Sequence, residues 1–277
     1  MNRRITVLVS ALLVLIGVGA AATWAVTAWH STSDTDDTQA LPIPPFPPRI
    51  TDNKDYESCL AALADDPAVA VTMAEALQGA GVGDAATHCR GLALIALGKP
   101  DEGAALLESL AATTTAPPLA RASVLGQASQ ARMMIPQPDK ALDDLSQAIA
   151  LAPQDAGLLI MRAQTEDGLH DYKQAATDLD AALTLDPDRT DALVERASVR
   201  RNLNQLDLAE TDVSRALAIN PDDADALLER GILRQRMGDT KGARSDWQHA
   251  LGVDPNSTTA DLAQQNLSLL EAGPQTQ

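Results

Sequence analysis

Aromatic side chains are scarce in this chain: one Phe, two Tyr and three Trp in 277 residues leave too few rings for a large aromatic core and suit close packing of small side chains. Histidine is equally thin. His30, His88, His170 and His249 stand far apart, and no His-Glu-x-x-His, Gly-x-Ser-x-Gly or glycine-rich phosphate loop is present. Positive charge is short as well, with 21 Lys and Arg against 38 Asp and Glu and a net charge of −17. No basic stripe offsets that field, which excludes nucleic acid as a partner. There are only two cysteines, Cys59 and Cys89, and His88 beside Cys89 makes three candidate metal ligands without a fourth, which argues against zinc. The many carboxylates follow a repeat period instead of converging on a pocket, so the expectation is a non-enzyme with no catalytic residues, no metal, no cofactor and no small-molecule substrate.

What is present is a strict period. Pro153, Pro187, Pro221 and Pro255 stand 34 residues apart and divide the chain into 122–155, 156–189, 190–223 and 224–257 without insertion or deletion. Each block opens with a leucine (Leu125, Leu159, Leu193, Leu227) followed four places on by a small residue (Ser129, Ala163, Ala197, Gly231). A second apolar series starts at Ala141, Ala175, Ala209 and Ala243, adds Leu145, Leu179, Val213 and Trp247, and returns to Ala148, Ala182, Ala216 and Ala250. Spacings of four and three put each series on one helical face, so every block reads as two short amphipathic helices. Turn formers separate them at Pro136-Gln-Pro, His170-Asp, Asn204-Gln and Gly238-Asp, and the closing prolines suit the first turn of the next helix. Trp247 is expected to fill the space between the last block and a capping helix.

The blocks resemble the tetratricopeptide repeat, most closely at 226–233, Gly238-Asp239, Ala243, Trp247 and 250–255. The first block departs from the pattern, with Ala128 where the others carry Arg162, Arg196 and Arg230. The resemblance implies an all-α, right-handed α-solenoid of stacked helix hairpins. A divergent unit at about 84–117 and a further helix pair at 52–80, together 52–121, extend it upstream, 258–271 reads as a polar-faced capping helix, and 272–277 is a tail.

The amino terminus is a separate object. After the basic end at 1–4, residues 5–29 form an uncharged, largely apolar run, long enough as a helix to span the roughly 30 Å hydrocarbon core of a bilayer. Arg3 and Arg4 would stay cytoplasmic, placing the repeats on the periplasmic side of the inner membrane. Ala20-Ala21-Ala22 offers the alternative of a cleaved signal segment and an exported soluble protein, against which Trp24 and Trp29 suit an interfacial anchor. Residues 30–51 then read as a spacer whose Leu-Pro-Ile-Pro-Pro-Phe-Pro-Pro favours extended polyproline II geometry. Export makes a Cys59–Cys89 disulfide reasonable, since alternate helices of a stacked array are neighbours.

Charge follows the period too. Arg162, Arg196 and Arg230 lie 16 residues before Asp178, Asp212 and Asp246 and 18 residues after Asp144, Asp178 and Asp212, so pairing within a unit and pairing to the preceding one both fit the sequence. Arg200, Arg201, Arg234 and Arg236 lack such regular acidic partners. In the family the first helices line a concave groove, and the resemblance implies a wall of Gln130, Met133, Met134, Ile160, Gln164, Val194, Ser198, Arg201, Leu228, Ile232, Gln235 and Arg236. A short peptide is expected there, its apolar side chains against Ile160, Val194, Leu228 and Ile232 and its carboxylates on the arginines. The function expected is that of a membrane-tethered scaffold binding a protein or peptide in the periplasm. Similar anchored arrays occur among cytochrome c maturation and cell-envelope biogenesis proteins. The alternatives are a structural homo-oligomer or a non-catalytic subunit of an enzyme complex.

Overall fold

The computed structural model describes residues 49–272, which form thirteen α-helices and no strand. The basic end, the apolar run at 5–29, the spacer as far as residue 48 and the tail from 273 lie outside the described residues. Among the described residues no helix is long and apolar enough to cross a membrane. In chain order the helices are α1 (Lys54–Asp65), α2 (Pro67–Gly79), α3 (Gly83–Ala96), α4 (Pro100–Thr113), α5 (Pro118–Met133), α6 (Pro138–Leu151), α7 (Ala156–Gly168), α8 (Tyr172–Leu185), α9 (Thr190–Asn202), α10 (Leu206–Ile219), α11 (Ala224–Arg236), α12 (Thr240–Val253) and α13 (Thr258–Ala272). Consecutive helices pair into six hairpins with α13 packed on the last, which is an α-solenoid.

Local chemistry sets the helix starts. Asn53, Asp66, Asp155, Asp171, Asp223 and Asp239 each accept a hydrogen bond from a backbone N–H of the following first turn, and Pro67, Pro100, Pro118 and Pro138 occupy first helical positions, where the missing N–H costs nothing. The four periodic prolines behave differently from expectation. Each stands three residues before the next helix, in the link and not in the first turn. The residues between are needed to reverse the chain and to place the capping position, Asp155 or Asp223, ahead of the helix. Inside the hairpins the chain turns through a left-handed residue at His170 (φ 62°), Asn204 (φ 60°) and Gly238 (φ 90°), 34 residues apart. Pro136 holds that place in the third hairpin, where its ring forbids positive φ, and a tighter turn closed from Gln137 N–H to the Ile135 carbonyl replaces it.

The last three hairpins each close on a small residue facing a large one 16 positions later. Ala163 faces Leu179, Ala197 faces Val213 and Gly231 faces Trp247, all buried to within 1 % of their surface apart from the glycine, which is buried without a side chain to measure. Gly231 is required by sterics: a Cβ there would fall inside contact distance of Trp247 Nε1, Cδ1 and Cε2. Trp247 therefore fills its own hairpin, between α11 and α12, and donates its indole N–H to the Leu228 carbonyl at 3.2 Å, within the same apolar cluster as Ala263 and Leu267 of α13. The α13 face buries Ala260, Ala263 and Leu267, but its outer side exposes Leu262 and Leu269, so the end of the stack is less polar than its composition suggested.

Two apolar clusters run through the array, one from Ile50 to Leu158 and one from Ala156 to Leu267, with Ile149 packed against both. In the first, Cys59 on α1 and Cys89 on α3 are joined by a disulfide with Cα atoms 6.3 Å apart. Beside it Tyr56, His88 and Gln127, from the first helices of three successive hairpins, form a buried hydrogen-bonded column, with His88 Nε2 at 2.6 Å from Gln127 Oε1. Burial holds the His88 imidazole neutral, its pKa down to about 4, partly offset by the bond to Gln127.

The size match yields a test. Gly231→Ala should destabilise the protein by about 1–3 kcal/mol through overpacking, and Trp247→Leu by a similar or larger amount through the cavity it leaves. The double variant recreates the Ala163–Leu179 arrangement and should be more stable than the sum of the two losses predicts, as read by denaturant unfolding.

Candidate protein-interaction face

The arginines of the period are placed by the hairpins. Arg162 bonds both carboxylate oxygens of Asp178 (2.6 and 2.8 Å), Arg196 both of Asp212 (2.9 and 2.6 Å) and Arg230 both of Asp246 (3.0 and 2.7 Å). Pairing is therefore within the unit. The planar fork fits a carboxylate side-on, and each aspartate is nearly buried, so these are stronger than exposed pairs. Arg196 also reaches back to Asp180 of the preceding hairpin at 2.7 Å. Arg200 and Arg234, expected to lack acidic partners, bond the same aspartates as Arg196 and Arg230, at 2.6 Å each. One turn further along a first helix is close enough to reach the same carboxylate, a pairing 12 residues apart that the 16-residue rule passes over.

The pattern fails in two hairpins. Ala128 stands where an arginine would meet Asp144, and Arg132, at the place of Arg200, turns away to Asp101 and Glu108. Asp144 is buried with Oδ2 lacking any hydrogen bond, and burial, with Glu108 and Asp143 adding to it against Arg132 and Lys140, pushes its carboxyl up to about 7. In the next hairpin Glu166 occupies the place of Arg200. Its Oε2 is likewise buried and unpartnered, and burial followed by the nearby Asp178 charge pushes it to about 7, against the pull of Arg162.

The first helices form one side of the array. α7 touches α9, α9 touches α11 and α11 touches α13, whereas the second helices of successive hairpins make at most marginal contact, which puts the first helices on the inner side of the stack. On that side Gln130, Gln164 and Arg236 are exposed, and Val194, Ser198, Arg201, Leu228, Ile232 and Gln235 are half-buried. Met133 and Met134 are exposed at the end of α5 and beyond it. Ile160 is 4 % exposed and belongs to the core, which takes it out of reach of a guest.

Arg201 is engaged. Its Nε and Nη2 bond Glu229 at 2.6 and 3.2 Å and Nη2 also donates to Ser198 Oγ, while Arg236 donates to the Arg201 carbonyl at 3.0 Å. The expectation of a free arginine is thereby reversed for Arg201, whereas Arg236 is exposed and bonds no carboxylate among the described residues. Beside these arginines stand three acids, Asp167, Glu195 and Glu229, from α7, α9 and α11, near enough to repel one another. Glu195 and Glu229 share the 34-residue period with Gln127 and Met161, so the spacing that named Val194 and Leu228 one position earlier could have found them.

With this geometry in hand the relatives are informative. Residues 196–268 match one family model of the tetratricopeptide repeat and residues 160–224 match another. Residues 160–268 are thus similar to tetratricopeptide repeats. Among solved structures the chain is similar to YrrB, a tetratricopeptide protein with an unusual peptide-binding site, at 17 % identity over 70 % of this chain and 97 % of that one, TM-score 0.52. A thermophilic tetratricopeptide protein of Thermus thermophilus gives 21 % identity over 67 % and 98 %, TM-score 0.52, and the Cut9–Hcn1 hetero-tetramer gives 15 % over 77 % and 42 %, TM-score 0.59. At such identities the likeness is one of fold. No curated protein matches the chain.

The two orphan carboxylates give a pH dependence of definite sign. Their folded pKa values lie above the ordinary carboxylate range, so the stability linked to them is intact below about pH 4 and is lost as pH climbs through about 7. His88 acts oppositely, costing stability as pH falls through about 4. Thermal unfolding followed by circular dichroism should show Tm declining from pH 5 to 8, and Asp144→Asn and Glu166→Gln should each flatten the decline and raise Tm above pH 7 by roughly 2–8 °C.

Proposed function

We propose that this chain is a membrane-tethered, non-catalytic scaffold that presents its first-helix face to a protein or peptide on the periplasmic side of the inner membrane, in the service of envelope or cytochrome c assembly. The observation that carries this reading is the inner face itself, where half-buried Val194, Leu228 and Ile232 alternate with polar and charged groups instead of being sealed by the second helices. Tetratricopeptide arrays suit such docking, and the similar YrrB is described by its peptide-binding site. The tether is supported by the uncharged run at 5–29 behind Arg3 and Arg4, and the extracytoplasmic side by that same asymmetry together with the Cys59–Cys89 pairing, which persists where the medium is oxidising.

A second reading has its own observation. Leu262 and Leu269, 49 % and 60 % exposed on the outer side of α13, leave the end of the stack open to a second copy, as a structural homo-oligomer would use it.

Two experiments decide. A photo-crosslinking residue at Gln164, Ser198 or Ile232 should capture a partner in native membranes, and the same residue at Thr177 or Thr211 on the second helices should not; capture at the second helices alone, or a stable oligomer abolished by Leu262→Ser with Leu269→Ser, would favour the second reading. For the compartment, Cys59 and Cys89 of protein taken from cells should resist thiol labelling until reductant is added, and the protein should sediment with membranes at its full mass. Ready labelling would place the repeats in a reducing compartment.

A further inference from the structure

The inner face carries a charge pattern that specifies the guest. Three carboxylates converge there from three consecutive first helices, Asp167 on α7, Glu195 on α9 and Glu229 on α11, and one arginine, Arg201, bonds one of them, Glu229. Asp167 Oδ1 is buried with no hydrogen-bond partner, and Glu195, half-buried between its acidic neighbours, makes no hydrogen bond or ion pair among the described residues. A solvent-starved carboxylate oxygen that nothing in the fold satisfies is costly to keep. On the same face Val194, Leu228 and Ile232 are half-buried, so apolar contact area lies beside the unsatisfied charge.

Resting on the reading of this face as the docking face, we propose that Asp167 and Glu195, with the buried, arginine-bound Glu229 behind them, form the seat of a lysine or arginine side chain from an extended peptide whose neighbouring apolar residues lie against Val194, Leu228 and Ile232. The guest is basic. An acidic peptide would add negative charge to three carboxylates whose nearest cation, Arg201, is already held by Glu229. A guanidinium or ammonium would meet Asp167 Oδ1 and the free Glu195 carboxylate together and relieve the repulsion that burial intensifies. Burial, then the charges of Asp167, Glu229 and Asp191, push the Glu195 carboxyl up to about 7; Arg201, and more remotely Arg236, act against the same rise at Glu229. A bound cation displaces the Glu195 proton, so binding should strengthen as pH rises through that range.

The test uses the full chain in neutral detergent and two fluorescein-labelled peptides of one length, one alternating valine with lysine and the other valine with glutamate, followed by fluorescence anisotropy at about pH 7.5 and at about pH 6. The lysine peptide should bind, more tightly at the higher pH, and the glutamate peptide should not. Asp167→Asn with Glu195→Gln should weaken the lysine peptide roughly tenfold or more, the loss of one or two charge-assisted hydrogen bonds. The same variant should unfold at an equal or higher temperature, because it removes carboxylates that repel, so weakened binding cannot be put down to misfolding. Asp143→Asn with Asp207→Asn, exposed on second helices and equal in charge change, should leave binding unaltered. Preference for the glutamate peptide, or equal weakening by the second-helix control, would overturn the seat. Retained crosslinking at Ser198 and Ile232 alongside either result would show that the docking face stands and only its charge assignment falls.

Discussion

The contact between residues 16 positions apart in a hairpin governs this molecule. A small side chain on the first helix admits a large apolar one on the second, and one position earlier an arginine on the first helix clasps an aspartate just before that apolar residue on the second. Shape and charge are thereby satisfied by the same crossing. Where the large partner is Trp247 the small one is Gly231, and where it is Leu179 an alanine is enough, so volume is conserved across the pair although neither position is constant. An aromatic-poor chain can build a continuous core this way, each hairpin burying its neighbours' faces with methyls and leucines instead of rings.

The same crossing explains where stability is withheld. In the third hairpin, α5–α6, buried Asp144 lacks the arginine that the later hairpins supply, and in the fourth, α7–α8, buried Glu166 stands where the next two carry a second arginine. They flank the junction at which the apolar core divides into its two clusters. On the amino-terminal side the losses are offset by other devices: the Cys59–Cys89 bridge, the Tyr56–His88–Gln127 column and Arg132, 3 % exposed, tying α5 to α4 through Glu108 and Asp101. The array is thus held by repetition at one end and by particular cross-links at the other.

Function and fold make different demands on the first helices. Facing inward to their own second helix they carry leucine, small residue and arginine, which leaves no freedom. Facing the other way they carry Val194, Leu228, Ile232 and the carboxylates of Asp167, Glu195 and Glu229, groups that contribute little to the hairpin and whose mutual repulsion works against it. Such a cost on a solvent-accessible face is the kind that a binding partner offsets.

The sequence by itself determined that the chain is helical and that it repeats, because a 34-residue spacing of leucine, alanine and proline is a one-dimensional record of helix length and turn chemistry. It also named Trp247 and the arginine column as structural. What only the tertiary structure decided is which partner each charge takes. Arg162 faced two aspartates at nearly equal sequence distance, and the choice depends on how hairpins stack, a rotation that spacing does not encode. For the same reason Arg201 read as free until Glu229, 28 residues away on the next hairpin's first helix, was found against it. Ile160 read as surface until the stacking buried it. Periodicity fixes what lies along a helix, whereas the sign of a face is set by neighbours that only packing brings together.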